Sequence, residues 1–499
     1  MATQVVWFKR DLRVRDHAPL YEAAQRGQVI CLYIYEPSQI AAPDFDAAHQ
    51  VFINESLKVL RAELRRLGGE LTLRVGEAVE VLEGVMLEHP FEHLWAHEET
   101  ETYSSYVRDR RVRAWTKMRE LPFTELPTNG VIRRLETRDG WAKQWQRRMQ
   151  QTITPVPKEL SSPKLNCGRI QSLKSLGLPP NTKFLTPTGG EDCAHLVLKS
   201  FLYERGQHYR SEMSSPVTAF ESSSRLSPYL AWGNISVRQV YKAALARKEE
   251  LKETAREEDK GWLPSLTSFL SRLRWHDHFI QKLEQEPGLE FYNTNRGFDG
   301  LRENEFSLER FDAWKAGRTG YPMIDACMRC LQETGWLNFR MRAMVVSFAS
   351  YHLWLHWRET GLYLGKQWID WEPGIHWPQM QMQSGVTGIN TVRIYSPRKQ
   401  VEDQDPKGIF IKHWVPELAE VPDAYLPEPH TMPTMVQEMA ACIIGKDYPE
   451  PIVDPKEAYA EAKRRMREAK FSPEVQALKD EVYERHGSRA TPSRRRKGW

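Results

Sequence analysis

The chain has 499 residues, enough for two or three domains and for a core that encloses a cofactor. Its six cysteines show no even framework, which excludes a small disulfide scaffold, and 70 basic against 66 acidic residues give a net charge of +4, too mild to identify a nucleic-acid partner. No run of about 18 apolar residues is present, so we expect no membrane span and a cytoplasmic protein.

Short apolar runs alternate with helical patterns in the first 120 residues, which predicts a doubly wound, parallel α/β sheet. A helix between residues 49 and 67 is indicated by apolar residues at alternating steps of four and three. No GxGxxG motif follows the first strand, so this Rossmann-like sheet need not hold a dinucleotide. The predicted strands are Val5–Phe8, Val29–Tyr35, Leu71–Val75 and Leu94–Ala96.

The pattern changes twice after the sheet. From about residue 125 to 200 it fades into Pro, Ser, Thr and Gly, which is typical of a long connector, and after 200 it turns helical. We therefore predict an α/β domain over 1–130, a linker over 131–200, an all-helical domain over 201–480 and a basic C-terminal tail over 481–499. The tail is most simply a solvated end, and a nucleic-acid contact is the alternative.

A serine-rich stretch, FESSSRLSPYLAWGNIS, opens an apolar segment at residues 220–236. Hydroxyls and free backbone N–H groups at a helix start bind anions, and Arg225 adds positive charge for a phosphate. A plain helix cap explains Ser224 or Ser227 equally well, so both interpretations stay open.

An arginine pair in GWLNFRMRAMVVSF, Arg340 and Arg342, precedes Asp370 by about 30 residues. An arginine among aromatic residues is costly to bury without a partner, so we expect an ion pair with Asp370. Such a pair beside a flavin would favour anionic, electron-rich states of the cofactor, and a purely structural ion pair is the alternative.

Seven of the 17 tryptophans fall between residues 314 and 377. We expect Trp354 and Trp357 to share one face of a helix, and Trp368 and Trp371 to repeat that spacing. Indoles are readily oxidised, so a row of them could pass single electrons, although aromatic stripes at helical spacing more often form a core.

Two further motifs carry less weight. Cys327 and Cys330 lie in the middle of a predicted helix without a second cysteine pair, which favours packing over a metal or redox role. His276 and His278 lack a third ligand at zinc spacing, so we predict no metal site and interpret both as polar lining of a pocket.

Several stretches together resemble the DNA photolyase and cryptochrome family, in the right order and over nearly the whole chain. They include WFKRDLRVRDH, SSSRLSPYLAWG, AWKAGRTGYPMIDACMR, GWLNFRMRAMVVSF and RIYSPRKQ. HEET near residue 97 and YRSEMSSP at 209 look most like the bacterial class III photolyases that repair cyclobutane pyrimidine dimers.

The resemblance implies an N-terminal α/β antenna domain, a long linker and an all-helical domain that binds FAD. It also implies a blue-light-driven lyase in which reduced flavin donates an electron to a dimer flipped out of UV-damaged DNA, base flipping being a step that photolyases are known for. The alternatives are a cryptochrome photoreceptor that signals through a partner protein, and a (6-4) photolyase. A light-independent flavin oxidoreductase is the rival from another class.

Roles carry over by position. Tyr209 and the loop of Ser223, Ser224, Arg225, Leu226 and Ser227 match the FAD pyrophosphate region, and Arg342 and Asp370 match the pair beside the flavin ring. The other expected cofactor contacts are Trp275, Trp336, Arg340, Glu372 and His376. Trp314 and Trp357 match the distal and middle members of the photoreduction chain. The candidate DNA contacts are Arg272, Trp275, Met382, Arg393, Arg398 and Lys399.

The chain also departs from the family pattern. His376 stands where photolyases usually present Asn to the flavin, and a histidine there could titrate. Met380 replaces the proximal tryptophan, so Trp377 or Trp371 is the expected substitute, and Met382 replaces the second pocket tryptophan. Arg272 takes the place of a pocket carboxylate that many photolyases direct at the dimer.

The resemblance leaves the antenna pigment open. Methenyltetrahydrofolate is the expected pigment and 8-hydroxy-5-deazaflavin is the second candidate, because Glu101 and Thr102 follow HEET where Gly-Asn is expected. We expect a monomer whose partner is UV-damaged DNA, with no membrane association.

Overall fold

Five parallel strands form the centre of the N-terminal domain in the computed structural model, which describes residues 2–254 and 256–487. The strand order is β3-β2-β1-β4-β5. The strands are Thr3–Phe8 (β1), Gln28–Tyr35 (β2), Leu71–Val75 (β3), His93–His97 (β4) and Phe123–Leu126 (β5). The predicted doubly wound α/β class is confirmed, and the four predicted strands are present, three with slightly longer bounds and β3 with the bounds predicted. β5 was missed because it is a short edge strand that is only partly buried.

Helices cover both faces of the sheet. Val6 and Phe8 of β1 pack in one core with the third helix, and Val5 and Trp7 pack in another with the fourth and fifth. Because both faces are buried, β1 is continuously apolar after its first two residues rather than alternating. The helices are Ala18–Ala24 (α1), Pro37–Ile40 (α2), Ala47–Arg66 (α3), Ala78–Glu88 (α4) and Tyr103–Met118 (α5).

The segment predicted as a connector contains two α-helices, of which the first is Trp141–Gln150 (α6). Trp141, Trp145 and Met149 recur every four residues and are all buried, so a helical signal was present inside the loop-like composition. The next helix, Glu191–Ser200 (α7), begins before residue 200. The predicted domain bounds themselves stay a prediction.

The rest of the chain is helical, and none of the helices in the described ranges is both long and apolar enough to cross a membrane. The last helix reaches His486, so the first residues of the predicted tail are helical, and residues 488–499 lie outside the described part. The helices are Tyr209–Glu212 (α8), Ala219–Ser222 (α9), Ser227–Ala231 (α10), Val237–Thr254 (α11), Trp262–Gln285 (α12), Leu308–Ala316 (α13), Pro322–Thr334 (α14), Phe339–Ser347 (α15), Trp357–Gln367 (α16), Pro373–Ser384 (α17), Pro397–Gln404 (α18), Ile409–Trp414 (α19), Thr434–Met439 (α20), Pro455–Lys470 (α21) and Pro473–His486 (α22).

The expectation that Trp354 and Trp357 share a helix face is wrong. A π-helical turn over Phe348–His352 follows α15, Trp354 adopts a left-handed backbone with φ of 56°, and α16 begins only at Trp357. Trp368 and Trp371 likewise lie between α16 and α17. These breaks place the indoles by tertiary packing, which spacing alone does not reveal.

Asp277 of α12 fastens the helical domain to the segment that leaves the sheet. One of its buried oxygens, Oδ2, accepts hydrogen bonds from the Gly130 N–H at 2.8 Å and from the Trp145 indole at 2.7 Å. A Cβ at residue 130 would lie 2.0 Å from the Trp145 ring, so only glycine permits this approach. Arg10, after β1, adds a second link by donating to the Trp371 carbonyl at 2.9 Å.

We predict that Asp277→Ala lowers the free energy of unfolding by about 3 kcal/mol, because two buried donors lose their acceptor at ~1–3 kcal/mol each. Urea denaturation measures the change. Asp312→Ala is the matched control, since Asp312 forms only an exposed pair with Lys315 and should change stability by less than about 0.5 kcal/mol. Equal effects of the two substitutions would contradict the assigned role of Asp277.

Candidate functional site

Arg342 and Asp370 form a two-point ion pair in the helical domain. Arg342 Nη1 and Nη2 lie 3.0 and 2.8 Å from the two carboxylate oxygens, and Nε donates to the Leu337 carbonyl at 2.7 Å. The guanidinium also stacks on Trp368, 4.2 Å from the ring centroid. α15 and the loop after α16 thereby present one fixed pair of opposite charges.

Arg225 lies near this pair with its charge less well compensated. Its guanidinium stacks 4.6 Å from the Phe220 ring and 4.1 Å from the Trp336 ring. Burial lowers the pKa of Arg225 to about 10, while the negative charge of Asp370 opposes the shift. Within the described residues no carboxylate bonds to it, so an anionic ligand would complete its surroundings.

Arg205 supports the serine loop through hydrogen bonds to its backbone carbonyls, a role that the sequence did not predict. Arg205 donates to the backbone carbonyls of Glu221 and Ser223, both at 2.7 Å, and to that of Ser224 at 3.4 Å. α10 has only five residues, so its dipole is small, and the loop's capacity for an anion comes from its hydroxyls and Arg225. Ser224 Oγ caps the Leu226 N–H at 3.4 Å, Leu226 is buried in the core, and Ser227 begins α10.

Two exposed aromatic rings and a cation lie on α12 and on α15, the helix that also carries Arg342. Trp275 is 42% exposed and Phe339 is 55% exposed, and the Arg272 guanidinium lies 6.0 Å from the Phe339 ring. Burial raises the pKa of the Tyr209 phenol, while its hydrogen bond with Arg272 acts in the opposite direction. Arg340 Nε is buried and has no partner in the described part of the chain.

The other predicted DNA contacts lie on a separate stretch. Arg393 and Lys399 are exposed, and Met382 is half-buried. Arg398 is exposed but binds Glu402 at 2.9 Å and Glu428 at 2.8 Å. Its charge is therefore largely compensated, which weakens it as a phosphate contact relative to its neighbours.

Three tryptophans and a histidine form one aromatic cluster. The ring centroids of Trp371 and Trp377 lie 5.9 Å apart, as do those of Trp377 and Trp357. His376 packs between Trp371 at 4.5 Å and Trp377 at 4.9 Å. Trp314 packs against Phe311 and Tyr363, and Met380 is buried in the core.

His376 is held neutral. Its Nε2 lies 3.0 Å from the Gly361 carbonyl, so this nitrogen carries the proton and donates it. Burial lowers the pKa of His376 to about 3, and the nearby charge of Arg342 acts in the same direction. Titration of this histidine near neutral pH is therefore disfavoured, because burial outweighs the opposing charge of Asp370.

Glu372 lies one residue beyond Trp371 and faces a different space. It lines a small cavity of about 50 Å³ between the two domains, together with Arg10, Glu101 and His276. Burial raises the pKa of Glu372, which Arg10 opposes. The structure thus places Glu372 and His276 at the domain boundary, whereas His278 packs against Trp275 at 5.4 Å.

Asp11, His17 and His97 bring three potential metal-ligand atoms together in the described part of the chain. The Leu20 N–H donates to His17 Nδ1, so the proton of this ring is on Nε2, which lies 3.0 Å from Asp11. The ring nitrogen that would have to offer a lone pair to a metal therefore carries a proton, and hydrogen bonding accounts for the cluster.

Cys327 and Cys330 are buried in α14, and burial raises the pKa of both thiols.

Comparisons with known proteins agree with this architecture. A model described as DNA photolyase matches residues 4–166, and one described as the FAD binding domain of DNA photolyase matches residues 269–468. A cryptochrome DASH of Gloeobacter violaceus is 28% identical over 480 residues, which cover 91% of this chain and 93% of that protein. The deoxyribodipyrimidine photo-lyase of Escherichia coli is 28% identical over 484 residues, with 92% and 97% covered.

Among solved structures, a bacterial class III photolyase from Agrobacterium tumefaciens superposes with a TM-score of 0.82 at 26% identity, covering 95% of this chain and 98% of that one. The residues present fit FAD: the half-buried Arg225 has no carboxylate partner in the described residues, the serine loop beside it is bonded to Arg205, and the Arg342–Asp370 pair lies nearby.

We predict that Arg225→Met weakens FAD binding about ten- to hundredfold, because a charge-assisted hydrogen bond contributes ~1.5–3 kcal/mol. Titration of the apoprotein with FAD, followed by quenching of flavin fluorescence, measures the affinity. Arg464→Met is the control, because Arg464 pairs only with Glu461 and Glu468 on the exposed face of α21. An unchanged affinity in Arg225→Met would contradict the assignment.

We predict that His376→Asn makes stability less sensitive to acid. The folded pKa of His376 is about 3, below its usual ~6.5, so the unfolded chain binds the proton first. Its stabilising contribution is full above pH ~6.5 and falls as the pH drops toward 3, by up to ~1.4 kcal/mol per pH unit. Urea unfolding at pH 7, 6 and 5 should give a shallower slope for the variant, and parallel slopes would rule out this role.

Proposed function

The chain belongs to the DNA photolyase and cryptochrome family, and from this premise we propose that it is a blue-light-driven, FAD-dependent photolyase that splits cyclobutane pyrimidine dimers in DNA. The observation that carries the proposal is the Arg342–Asp370 pair beside Arg225, together with the exposed aromatic rings on α12 and α15. It combines a site for a charged cofactor with a surface on which bases can stack.

In this proposal the serine loop and Arg225 hold the FAD pyrophosphate, and Arg342 with Asp370 lies beside its ring system. FAD supplies light absorption and one-electron donation when bound. The Arg342 guanidinium stabilises negative charge on its neighbour, and Asp370 fixes the guanidinium so that little reorganisation is needed when that charge develops. Arg205 keeps the loop carbonyls turned away from the phosphates.

The exposed rings of Trp275 and Phe339 are the proposed lesion platform. A dimer extruded from the helix loses its stacking, and Trp275 and Phe339 offer replacement surfaces. Arg272 supplies N–H donors where a carboxylate would supply acceptors, so it suits the carbonyl oxygens of the bases or a phosphate. Arg393 and Lys399 extend the positive charge along the proposed DNA path, and Met382 replaces an aromatic contact.

Electron entry is proposed to run through Trp357, Trp377 and Trp371, which are in ring contact. Trp377 thus takes the place of the proximal tryptophan, because Met380 cannot be oxidised as readily as an indole. Trp314 is the proposed outer member. His376 acts in this cluster as a neutral spacer that donates to Gly361.

For the antenna we propose methenyltetrahydrofolate at the boundary of the two domains. Tyr103 and Phe291 are partly exposed there and meet edge to face at 5.8 Å, which offers surface for a flat pterin. The crevice at the carboxyl end of the sheet, where 8-hydroxy-5-deazaflavin would be the alternative, is crossed by ion pairs of Lys9 with Asp109 and of Arg108 with Glu36, both at 2.8 Å.

A cryptochrome that signals through a partner protein is the second candidate. Arg272 in place of a pocket carboxylate and the similarity to cryptochrome DASH favour it. A (6-4) photolyase needs pocket histidines. His276 lines the interdomain cavity instead, and His278, which packs against Trp275, is the remaining candidate for that reaction. In each case we propose a cytoplasmic monomer.

We predict that the protein with fully reduced FAD restores a dimer-containing oligonucleotide under blue light but not in darkness. Trp275→Ala should lower affinity for that oligonucleotide about tenfold or more, because stacking contributes ~1–3 kcal/mol per base. Phe471→Ala, which removes a ring that is 66% exposed near α21, is the control. Photoreduction of FAD without any repair would reject the photolyase and favour the cryptochrome.

A further inference from the structure

Some tryptophans of the helical domain have an arginine stacked on a ring face, and others, the bare rings, have none within the described residues. Among the seven tryptophans between residues 314 and 377, three carry a guanidinium on a ring face: Trp336 with Arg225 at 4.1 Å, Trp368 with Arg342 at 4.2 Å, and Trp354 with Arg302 at 4.5 Å and Arg465 at 4.8 Å. Within the described residues, Trp314, Trp357, Trp371 and Trp377 have no arginine or lysine at such a position.

The difference matters once an indole loses an electron. A neutral ring attracts a cation over its face, but an oxidised ring is positive and is repelled by it. At ring-contact distance in an apolar core this repulsion is weakly screened. Oxidation of Trp336, Trp354 and Trp368 is therefore disfavoured, and the bare rings are the easier ones to oxidise.

Among these four rings, only the N–H group of Trp357 has a hydrogen-bond acceptor within the described residues. Trp357 Nε1 donates to Asn293 Oδ1 at 2.7 Å, and both residues are buried, at 1% and 5% exposure. The indole nitrogens of Trp314, Trp354 and Trp377 are buried without a partner in the described chain. An accepted N–H bond stabilises the positive, oxidised indole, because that ring is a much stronger hydrogen-bond donor than the neutral one.

The orientation of the Asn293 amide is itself fixed. Its Nδ2 donates to Asp299 Oδ1 at 2.8 Å, and a carboxylate can only accept, so the amide oxygen must face Trp357. Arg296 holds the other oxygen of Asp299 at 2.6 Å. Trp357 thus receives an acceptor whose orientation is fixed by the Asp299–Arg296 ion pair.

We propose that Asn293, oriented by Asp299, makes Trp357 the site where the electron vacancy of the tryptophan chain comes to rest, while the arginines on Trp336, Trp354 and Trp368 keep it off those rings. This inference rests on the proposed function, which supplies the photoexcited flavin as the one-electron oxidant. Asn293 is a positioning residue, since it touches neither cofactor nor substrate.

The electron balance is simple. Trp377 gives one electron to the photoexcited flavin and regains one from Trp357, so the net change is one electron lost by Trp357 and one gained by the acceptor. The Trp357 N–H bond stays intact, because a neutral amide is too weak a base to take the proton. Trp357 therefore persists as a protonated radical cation until an external reductant returns the electron through Trp314, the proposed outer member of the chain.

Flash photolysis of the FAD-loaded protein tests the proposal through the visible absorption of oxidised tryptophan. Asn293→Leu should shorten the lifetime of the protonated radical about tenfold or more. Without the acceptor, the vacancy moves back from Trp357 to Trp377 more readily and is lost there. Asp299→Asn should give an intermediate lifetime, because the amide can then turn. Ultraviolet resonance Raman spectra in darkness report whether one indole N–H hydrogen bond is lost in each variant.

Matched variants separate the possible outcomes. Trp357→Phe should abolish the long-lived signal, and Trp354→Phe, which removes a ring covered by two arginines, should leave its lifetime unchanged. A lifetime in Asn293→Leu and Asp299→Asn within twofold of the native value would overturn this inference alone. The absence of any tryptophan signal in the native protein would overturn the inference and the proposed electron entry together.

Discussion

The helical domain depends on the ion pair of Arg342 with Asp370. Placing two opposite charges in an apolar region is costly unless both are fully bonded, and here every contact is supplied by the fold. Asp370 takes both terminal nitrogens, the Leu337 carbonyl takes Nε, and Trp368 covers one face of the guanidinium. The pair fixes the relation between α15 and the loop before α17, and that loop positions Trp371 and, through α17, His376 and Trp377.

Much of the fold was accessible from local patterns. The four long strands, α3 and the helical back half follow from apolar periodicity, which depends only on neighbours in the chain. The edge strand β5 and the helix α6 were missed because one is short and half-buried and the other lies in a loop-like composition. The helix breaks around Trp354 come from a π-helical turn and a left-handed residue, neither of which has a sequence signal here.

The site was less accessible, and for a different reason. Composition and spacing suggested that Arg342 pairs with Asp370, because a buried guanidinium needs a carboxylate. The support that Arg205 gives the serine loop, and the turn of Glu372 toward Arg10, depend on contacts between distant segments. The protonation of His376 depends on burial and on the Gly361 carbonyl, so the histidine that looked titratable in sequence is neutral in the fold.

The bonds that Asp277 and Arg10 make across the domain boundary also affect the transfer of light energy between two bound pigments. Energy passing between two pigments by dipole coupling falls with the sixth power of their separation and varies with the angle between their transition moments. A pigment held on the α/β side and one held among the helices would keep both quantities constant, because Gly130, Trp145 and the Trp371 carbonyl allow little relative rotation. The efficiency of energy transfer would then depend on the fixed arrangement of the two domains and not on movement of the pigments.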